Sequence, residues 1–252
     1  MDKNKIGVVI LAAGDGKRMQ STTPKVMTPL LGMPLVEHVV KKTEALTQPK
    51  EIVVVVNPKH TLVQDHLGSR AKYVVQNEQL GTGHATECAE EILGGRVDHV
   101  VVLYGDMPSL MTRSLENMIQ EHIKNQNTMT LMTATVPDFE GWREIFYKNF
   151  GRIIRDESGK IVKSVEFKDA TDEEKASHEL NPCFYCFRAD WLWTHLKNIQ
   201  NDNVQKEYYL TDLLKMALQN GERVSSVAIE PRETFGINSK EDLEIVSKFL
   251  EK

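Results

Sequence analysis

Two stretches of this 252-residue chain hold side chains whose types and spacing suit anion and metal binding. The first is Leu11-Ala12-Ala13-Gly14-Asp15-Gly16-Lys17-Arg18-Met19, which closes an apolar run, Ile6–Ala13. Small residues and two glycines let backbone N–H groups come close to an anion, and Lys17, Arg18 and Lys25 add positive charge. Pro24 stiffens the backbone just before Lys25. The spacing fits neither G-x-x-x-x-G-K-[ST] nor a full G-x-G-x-x-G, so a P-loop kinase and a dinucleotide dehydrogenase both lose support. The second stretch is Leu103-Tyr104-Gly105-Asp106-Met107-Pro108, in which Asp106 ends another apolar run. A carboxylate there is placed to be a hard oxygen ligand for Mg²⁺, or more plainly to cap a turn.

The elements that must position these groups follow from hydrophobic periodicity. Ile6–Ala13, Ile52–Val56, Tyr73–Val75, Val97–Tyr104 and Met129–Val136 read as strands. Between them Pro34–Ala45, Lys59–Leu67, Thr82–Leu93 and Arg113–Ile123 read as helices. Strand–helix alternation predicts an α/β fold, a mostly parallel sheet flanked by helices, with ligands at the carboxyl ends of the strands. In the second half, Gly151–Asp156 and Lys160–Glu166 flank Glu157-Ser158-Gly159, a hairpin signal. Glu179–Arg188 reads as one strand, Tyr209–Gln219 as a helix, Val224–Ile229 as a strand and Lys240–Leu250 as a terminal helix. An antiparallel flap over the sheet's carboxyl edge fits this change of style, and no linker splits the chain. We expect one unit, 1–252.

Hydrophobic residues are 40% and charged residues 27%, ordinary for a globular enzyme. The net charge of −5 gives no support to nucleic-acid binding. No run of roughly 18–20 apolar residues suggests a membrane span, and no signal peptide is evident, so a cytoplasmic location is expected. The three cysteines include Cys183 and Cys186, a C-x-x-C. With no second Cys/His pair at zinc spacing, we read them as small apolar residues of a buried strand.

The glycine-rich piece, Leu-Ala-Ala-Gly-x-Gly-x-Arg-Met-x(5)-Lys, resembles the signature of the sugar nucleotidyltransferases. Gln76-Asn77-Glu78-Gln79-Leu80-Gly81-Thr82-Gly83-His84-Ala85 resembles that family's base-recognition segment, and Leu103–Pro108 its metal-binding turn. Gly151-Arg152-Ile153, Val165–Ala170, Glu207-Tyr208-Tyr209-Leu210-Thr211-Asp212 and Gly236-Ile237-Asn238 follow in the family's order. The set is most similar to the N-terminal uridylyltransferase domain of the bifunctional N-acetylglucosamine-1-phosphate uridylyltransferase/glucosamine-1-phosphate acetyltransferase, over roughly residues 6 to 250. The resemblance implies a Rossmann-like sheet with a small antiparallel sugar-binding subdomain: nucleotide-binding to about residue 136, sugar-binding over about 137–235, then a C-terminal helix.

It also implies the reaction. A sugar-1-phosphate oxygen attacks the α-phosphorus of UTP and expels pyrophosphate, helped by positioning and charge neutralisation. By resemblance Lys25 contacts phosphate at the reacting centre, Arg18 holds the triphosphate and leaving pyrophosphate, and Asp106 with Asn238 binds Mg²⁺. Leu11, Ala12, Ala13, Gly14, Gln76, Gly81 and Thr82 would bind the nucleotide. Gln76 can donate and accept at a pyrimidine edge, and Gly81 can bring a backbone amide to it. Tyr104, Gly105, Gly151, Glu166, Asn181, Tyr209 and Thr211 would bind the sugar, and His84 would pack or cap the Thr82 helix.

One departure stands out. The family usually has Asn-Thr-Gly or Asn-Ser-Gly where this chain reads Asn181-Pro182-Cys183, so the backbone path there is expected to differ. N-acetylglucosamine-1-phosphate is the leading acceptor, and glucose-1-phosphate or another sugar phosphate the alternative. A cytidylyl- or guanylyltransferase is opposed by the Gln76–Thr82 and Glu207–Tyr209 segments. A non-catalytic nucleotide-sugar sensor is opposed by the retention of Arg18, Lys25, Asp106 and Asn238. The chain has no hexapeptide repeats of the trimerising acetyltransferase β-helix, so we expect no acetyl transfer, and a monomer or weak homodimer.

Overall fold

The computed structural model describes residues 5–14, 16, 23–48 and 51–250. Strand β1 (Ile6–Leu11) is buried along its whole length. A tight hairpin, β2 (Pro29–Leu30) and β3 (Met33–Pro34), turns through Leu31 and Gly32, both at positive φ. Helix α1 (Leu35–Thr43) buries Leu35, Val36, Val39, Val40 and Thr43 along one stripe. Then come β4 (Ile52–Val56), α2 (Leu62–Leu67), β5 (Lys72–Val75), α3 (Thr82–Glu87), α4 (Glu90–Leu93), β6 (His99–Tyr104), α5 (Thr112–Lys124) and β7 (Met129–Thr135). The second half adds α6 (Glu144–Asn149), β8 (Gly151–Arg155), β9 (Ile161–Val165), α7 (Asp172–Lys175), β10 (Glu179–Asn181), β11 (Tyr185–Arg188), α8 (Ala189–Leu196), α9 (Asp212–Gln219), β12 (Val224–Ala228) and α10 (Lys240–Leu250).

The main sheet runs β5-β4-β1-β6-β11-β7-β10-β8-β9, with β12 also on β7. Strands β5, β4, β1 and β6 are parallel neighbours, as are β7 and β12. Strand β11 lies antiparallel between β6 and β7, so those two point the same way. Alternate side chains of each central strand enter opposite cores. Val8, Ile10, Val54 and Val101 meet helices α1, α5 and α10 on one face. Val9, Val53, Val55 and Val102 meet α3, α8 and α9 on the other. Two covered faces explain why these strands read as unbroken apolar runs.

Two expectations need correction. The helix expected over Thr82–Leu93 breaks into α3 and α4: Ala89 N–H bonds Thr86 O at 3.0 Å, a shift from the i−4 to the i−3 partner, while the Ala89 side chain is fully buried. The strand expected over Glu179–Arg188 is two strands. Pro182 offers no N–H, Cys183 turns at φ +62°, and β10 pairs with β7 and β8 while β11 pairs with β6 and β7. Only Cys186 therefore sits in a strand, and both cysteines are free thiols. Helices α6, α7 and α8 and the β2–β3 hairpin were not expected from the periodicity.

Strands β8, β9 and β10 form the expected antiparallel part, continuing the sheet from the end of β7. Its root is pinned by Arg152, which is fully buried and has no carboxylate partner among the described residues. Its guanidinium donates to Phe150 O (2.6 Å), Tyr147 O (2.7 Å) and Lys175 O (3.3 Å), and packs over the rings of Phe139, Tyr147 and Phe167. This joins α6, β8 and α7 around Gly151.

At the opposite end of the sheet His122, on α5, is fully buried and bonded to Thr130 Oγ1 (3.0 Å) and His99 Nδ1 (3.1 Å). Burial, then the neighbouring His99 and Arg188, push its pKa from 6.5 down to about 3. The native ring stays neutral where the unfolded ring takes a proton, so the unfolded state binds more protons between these values and stability falls as pH drops below about 6.5. The slope from this group is at most about 1.4 kcal/mol per pH unit. Urea denaturation at pH 6.5 and 5 should show a smaller loss for His122→Gln than for the unsubstituted protein; equal losses would remove His122 as a cause.

Candidate active site

Two cavities meet at the carboxyl ends of β1, β5 and β6. One is lined by Leu11, Ala12, Ala13, Gly14, Lys25, Gln76 and Gly81, the other by Gly151, Glu166, Asn181, Cys183, Tyr209, Thr211 and Asn238. Thr82, Tyr104, Asp106 and Glu207 line both. The site residues expected from the sequence thus converge, apart from Gly105 and from Arg18, which lies outside the described residues. Gly105 lines neither cavity. Its N–H bonds Leu11 O at 2.9 Å, and a Cβ there would stand 3.2 Å from Val26 Cγ1. It lets the β6 turn pack under β1.

At the junction, Lys25 Nζ bonds Asp106 Oδ2 and Asn238 Oδ1, the latter at 2.9 Å. Each partner is held by its own backbone. Lys25 begins a single 3₁₀ turn after Pro24. Gly16, at φ +59°, lies so close to it that a Cβ would stand 2.7 Å from Lys25 Cβ, which accounts for the second glycine of the loop. Asp106 O accepts from Ile237 N–H at 3.0 Å, drawing Gly236-Ile237-Asn238 to the β6 turn across 131 residues, 237 minus 106. Asp242 accepts from the N–H groups of Asn238 (2.8 Å) and Ser239 (2.9 Å), and Ser239 Oγ accepts from Asp242 N–H (3.1 Å). This reciprocal cap starts α10 and fixes Asn238. Two hard oxygens thus converge on one ammonium, a donor set and charge arrangement that also fit a Mg²⁺ ion.

On the first cavity's side the loop after β1 is anchored by a residue the sequence reading overlooked. Asn57 Nδ2 donates to Ala13 O at 2.9 Å, and since C=O and N–H oppose each other across a trans peptide, Gly14 N–H turns away from Asn57. Asn57 is the first polar residue after the apolar β4, so strand-end reasoning of the kind applied to Asp106 could have found it. Gln76 is 3% exposed; its Nε2 meets Gly81 O (3.1 Å) and His84 Nδ1 (3.2 Å). His84 therefore orients Gln76, where packing or capping was expected. Gly81, at φ +114°, abuts Tyr208, whose N–H bonds Leu80 O and whose carbonyl accepts from Gly83 N–H, both at 2.8 Å. Thr82 Oγ1 accepts from Leu210 N–H at 3.0 Å.

The second cavity is acidic at its far end. Burial raises the Glu166 pKa, opposed by a hydrogen bond from Thr211 Oγ1 (3.0 Å), with Asp169, Asp212 and Glu207 nearby raising it further. Asn181, fully buried, is already engaged: Nδ2 donates to Ser164 Oγ (3.0 Å) and Tyr185 Oη (2.8 Å), and Oδ1 accepts from Cys183 N–H (2.9 Å). It braces the turn between β10 and β11 as well as lining the cavity. Tyr209 is 8% exposed and lines the same wall.

Residues 8–210 match the family described as the MobA-like NTP transferase domain, most of the chain. The chain belongs to this family. The chain is 37% identical to the bifunctional protein GlmU of Desulfotalea psychrophila over 98% of its own length and 71% of that relative. It is 39% identical to GlmU of Brevibacillus brevis over 99% of the chain and 52% of the relative, and 41% identical to GlmU of an Exiguobacterium species over 92% and 50%. It thus spans about half the length of the latter two. A solved structure from Bacillus anthracis, described as a glucose-1-phosphate thymidylyltransferase with sucrose bound, has a TM-score of 0.75 at 18% identity, covering 97% of this chain and 94% of that one, which establishes the shared fold. No helix among the described residues is long and apolar enough to cross a membrane.

Proposed function

We propose that this NTP transferase joins UTP to N-acetylglucosamine-1-phosphate, releasing pyrophosphate and forming UDP-N-acetylglucosamine. The observation that carries the reading is the meeting of Lys25, Asp106 and Asn238 between two cavities. An acceptor phosphate oxygen brought there stands between the nucleotide loop and the sugar pocket. Its attack on the α-phosphorus of UTP forms one P–O bond as the α–β bridge breaks, and the charge leaves on pyrophosphate. Lys25 neutralises phosphate charge at that point, and Arg18 would hold the departing end. Asp106 and Asn238 would hold Mg²⁺, which supplies Lewis-acid neutralisation of the reacting phosphates.

The base choice follows from Gln76. With Nε2 committed to Gly81 O and His84, its Oε1 remains to accept from an imide N–H, which uracil has and cytosine lacks. Because Leu80 O accepts from Tyr208, Gly81 N–H points away from Tyr208 and can serve a base carbonyl. The acceptor's direction follows from charge: phosphate at Lys25, neutral hydroxyls and amide toward Glu166. Glucose-1-phosphate is the second reading, since the same walls accept hydroxyls. A cytoplasmic monomer or weak homodimer completes the proposal.

Pyrophosphate release with Mg²⁺ tests it, crossing UTP, dTTP, CTP, ATP and GTP with N-acetylglucosamine-1-phosphate, glucose-1-phosphate and galactose-1-phosphate. Selective turnover of UTP with N-acetylglucosamine-1-phosphate is expected. UTP turnover with another sugar would move the acceptor assignment, and no turnover with any pair would favour the sensor.

A further inference from the structure

Cys183 occupies the acceptor wall where β10 turns into β11. Its φ of +62° is the left-handed conformation that glycine, or asparagine, adopts more readily than other residues. The Asn181 Oδ1 bond to Cys183 N–H holds that conformation, and Ser164 and Tyr185 hold Asn181 in turn. Glycine would follow this backbone path without strain, so the turn does not require a side chain here. The side chain nevertheless lines the second cavity beside Tyr104 and Glu166, with the hydroxyls of Tyr104 and Tyr185 against the thiol and Asn181 O 3.6 Å from Sγ. Burial pushes the thiol pKa up, so it stays a neutral, weakly polar group and a poor nucleophile. Its contribution is therefore volume and soft apolar surface. Cys183 does not line the nucleotide cavity.

We propose that Cys183 sets the size limit of the acceptor site, filling the corner beside Tyr104 and Glu166 so that only sugar phosphates with compact ring substituents fit. The inference rests on the second cavity being the acceptor site. A methylene-sized change in such a wall shifts discrimination by roughly ten- to two-hundredfold.

The test measures kcat/KM at saturating UTP for glucose-1-phosphate, galactose-1-phosphate, and glucosamine-1-phosphates carrying N-acetyl, N-propanoyl and N-butanoyl groups. The unsubstituted enzyme is compared with Cys183→Gly, Cys183→Ser and Cys183→Asn. Cys183→Gly should raise the butanoyl/acetyl ratio at least about tenfold. Cys183→Ser, nearly equal in size, should keep the original order. Cys183→Asn, which tolerates the left-handed backbone but is larger, should steepen the fall with acyl length. KM for UTP should be the same in all, and thermal melting checks that each variant is folded. Ratios across the panel that are the same in folded glycine, serine and asparagine variants would overturn the role of Cys183 alone. No turnover of any acceptor by the unsubstituted enzyme would overturn the acceptor reading, and this inference with it.

Discussion

Asp106→Ala should lower kcat by about a thousandfold with little change in melting temperature. The backbone contact that draws residues 236–238 to this turn uses Asp106 O, which alanine keeps, so the fold of the junction survives. What disappears is the carboxylate that shares Lys25 Nζ with Asn238. The proposed Mg²⁺ site then retains only a neutral carboxamide, and a neutral ligand alone holds a divalent cation weakly. Titrating Mg²⁺ separates this role from simple damage. The variant should need much higher Mg²⁺ for its residual activity, and turnover unchanged at limiting Mg²⁺ would remove Asp106 from the metal site.

Gly81→Ala should weaken both folding and nucleotide use. Backbone at φ +114° and ψ 178° belongs to glycine almost alone, at a cost of about 1–3 kcal/mol for other residues. A Cβ would also stand 2.7 Å from Tyr208 O and 2.8 Å from Tyr208 N, backbone atoms that cannot swing aside. Relief requires breaking one or both of the 2.8 Å hydrogen bonds that tie Tyr208 to Leu80 and Gly83, each worth about 1 kcal/mol. We expect a stability loss near 3 kcal/mol by chemical denaturation. KM for UTP should rise at least about tenfold as the Gln76–Gly81 contact is misplaced. A variant with unchanged stability and unchanged UTP KM would show that the loop accommodates a side chain, and the role given to this glycine would fall.

The strands were legible where burial on both faces left a continuous apolar signal, as in β1, β4 and β6. The Asp106 turn could be read for the same reason, since a charged residue ending such a run stands at the sheet's ligand-binding edge. The second half was harder. Glu179–Arg188 looked continuous because both halves are apolar and buried, and only Pro182 hinted that they belong to different ladders. Short helices such as α6 and α7 give too few turns to show a period. Spacing could not bring Asn238 to Lys25 across 213 positions; the resemblance set Asn238 beside Asp106, and the bond to Lys25 was not expected. Arg152 went unread because its guanidinium bonds main-chain carbonyls, which carry no residue-type signal.

The position of β11 bears on how the chain is made. It is the strand between β6 and β7, yet it is synthesised about fifty residues after β7 ends, following β8, β9 and β10. A nascent chain that stops near residue 136 therefore carries two strands whose facing edges have no partner, the sort of edge that recruits other chains. The first half of the chain cannot close its sheet on the ribosome until Tyr185–Arg188 has emerged. A cut between the two halves of the sequence would separate β6 and β7 from the strand that joins them.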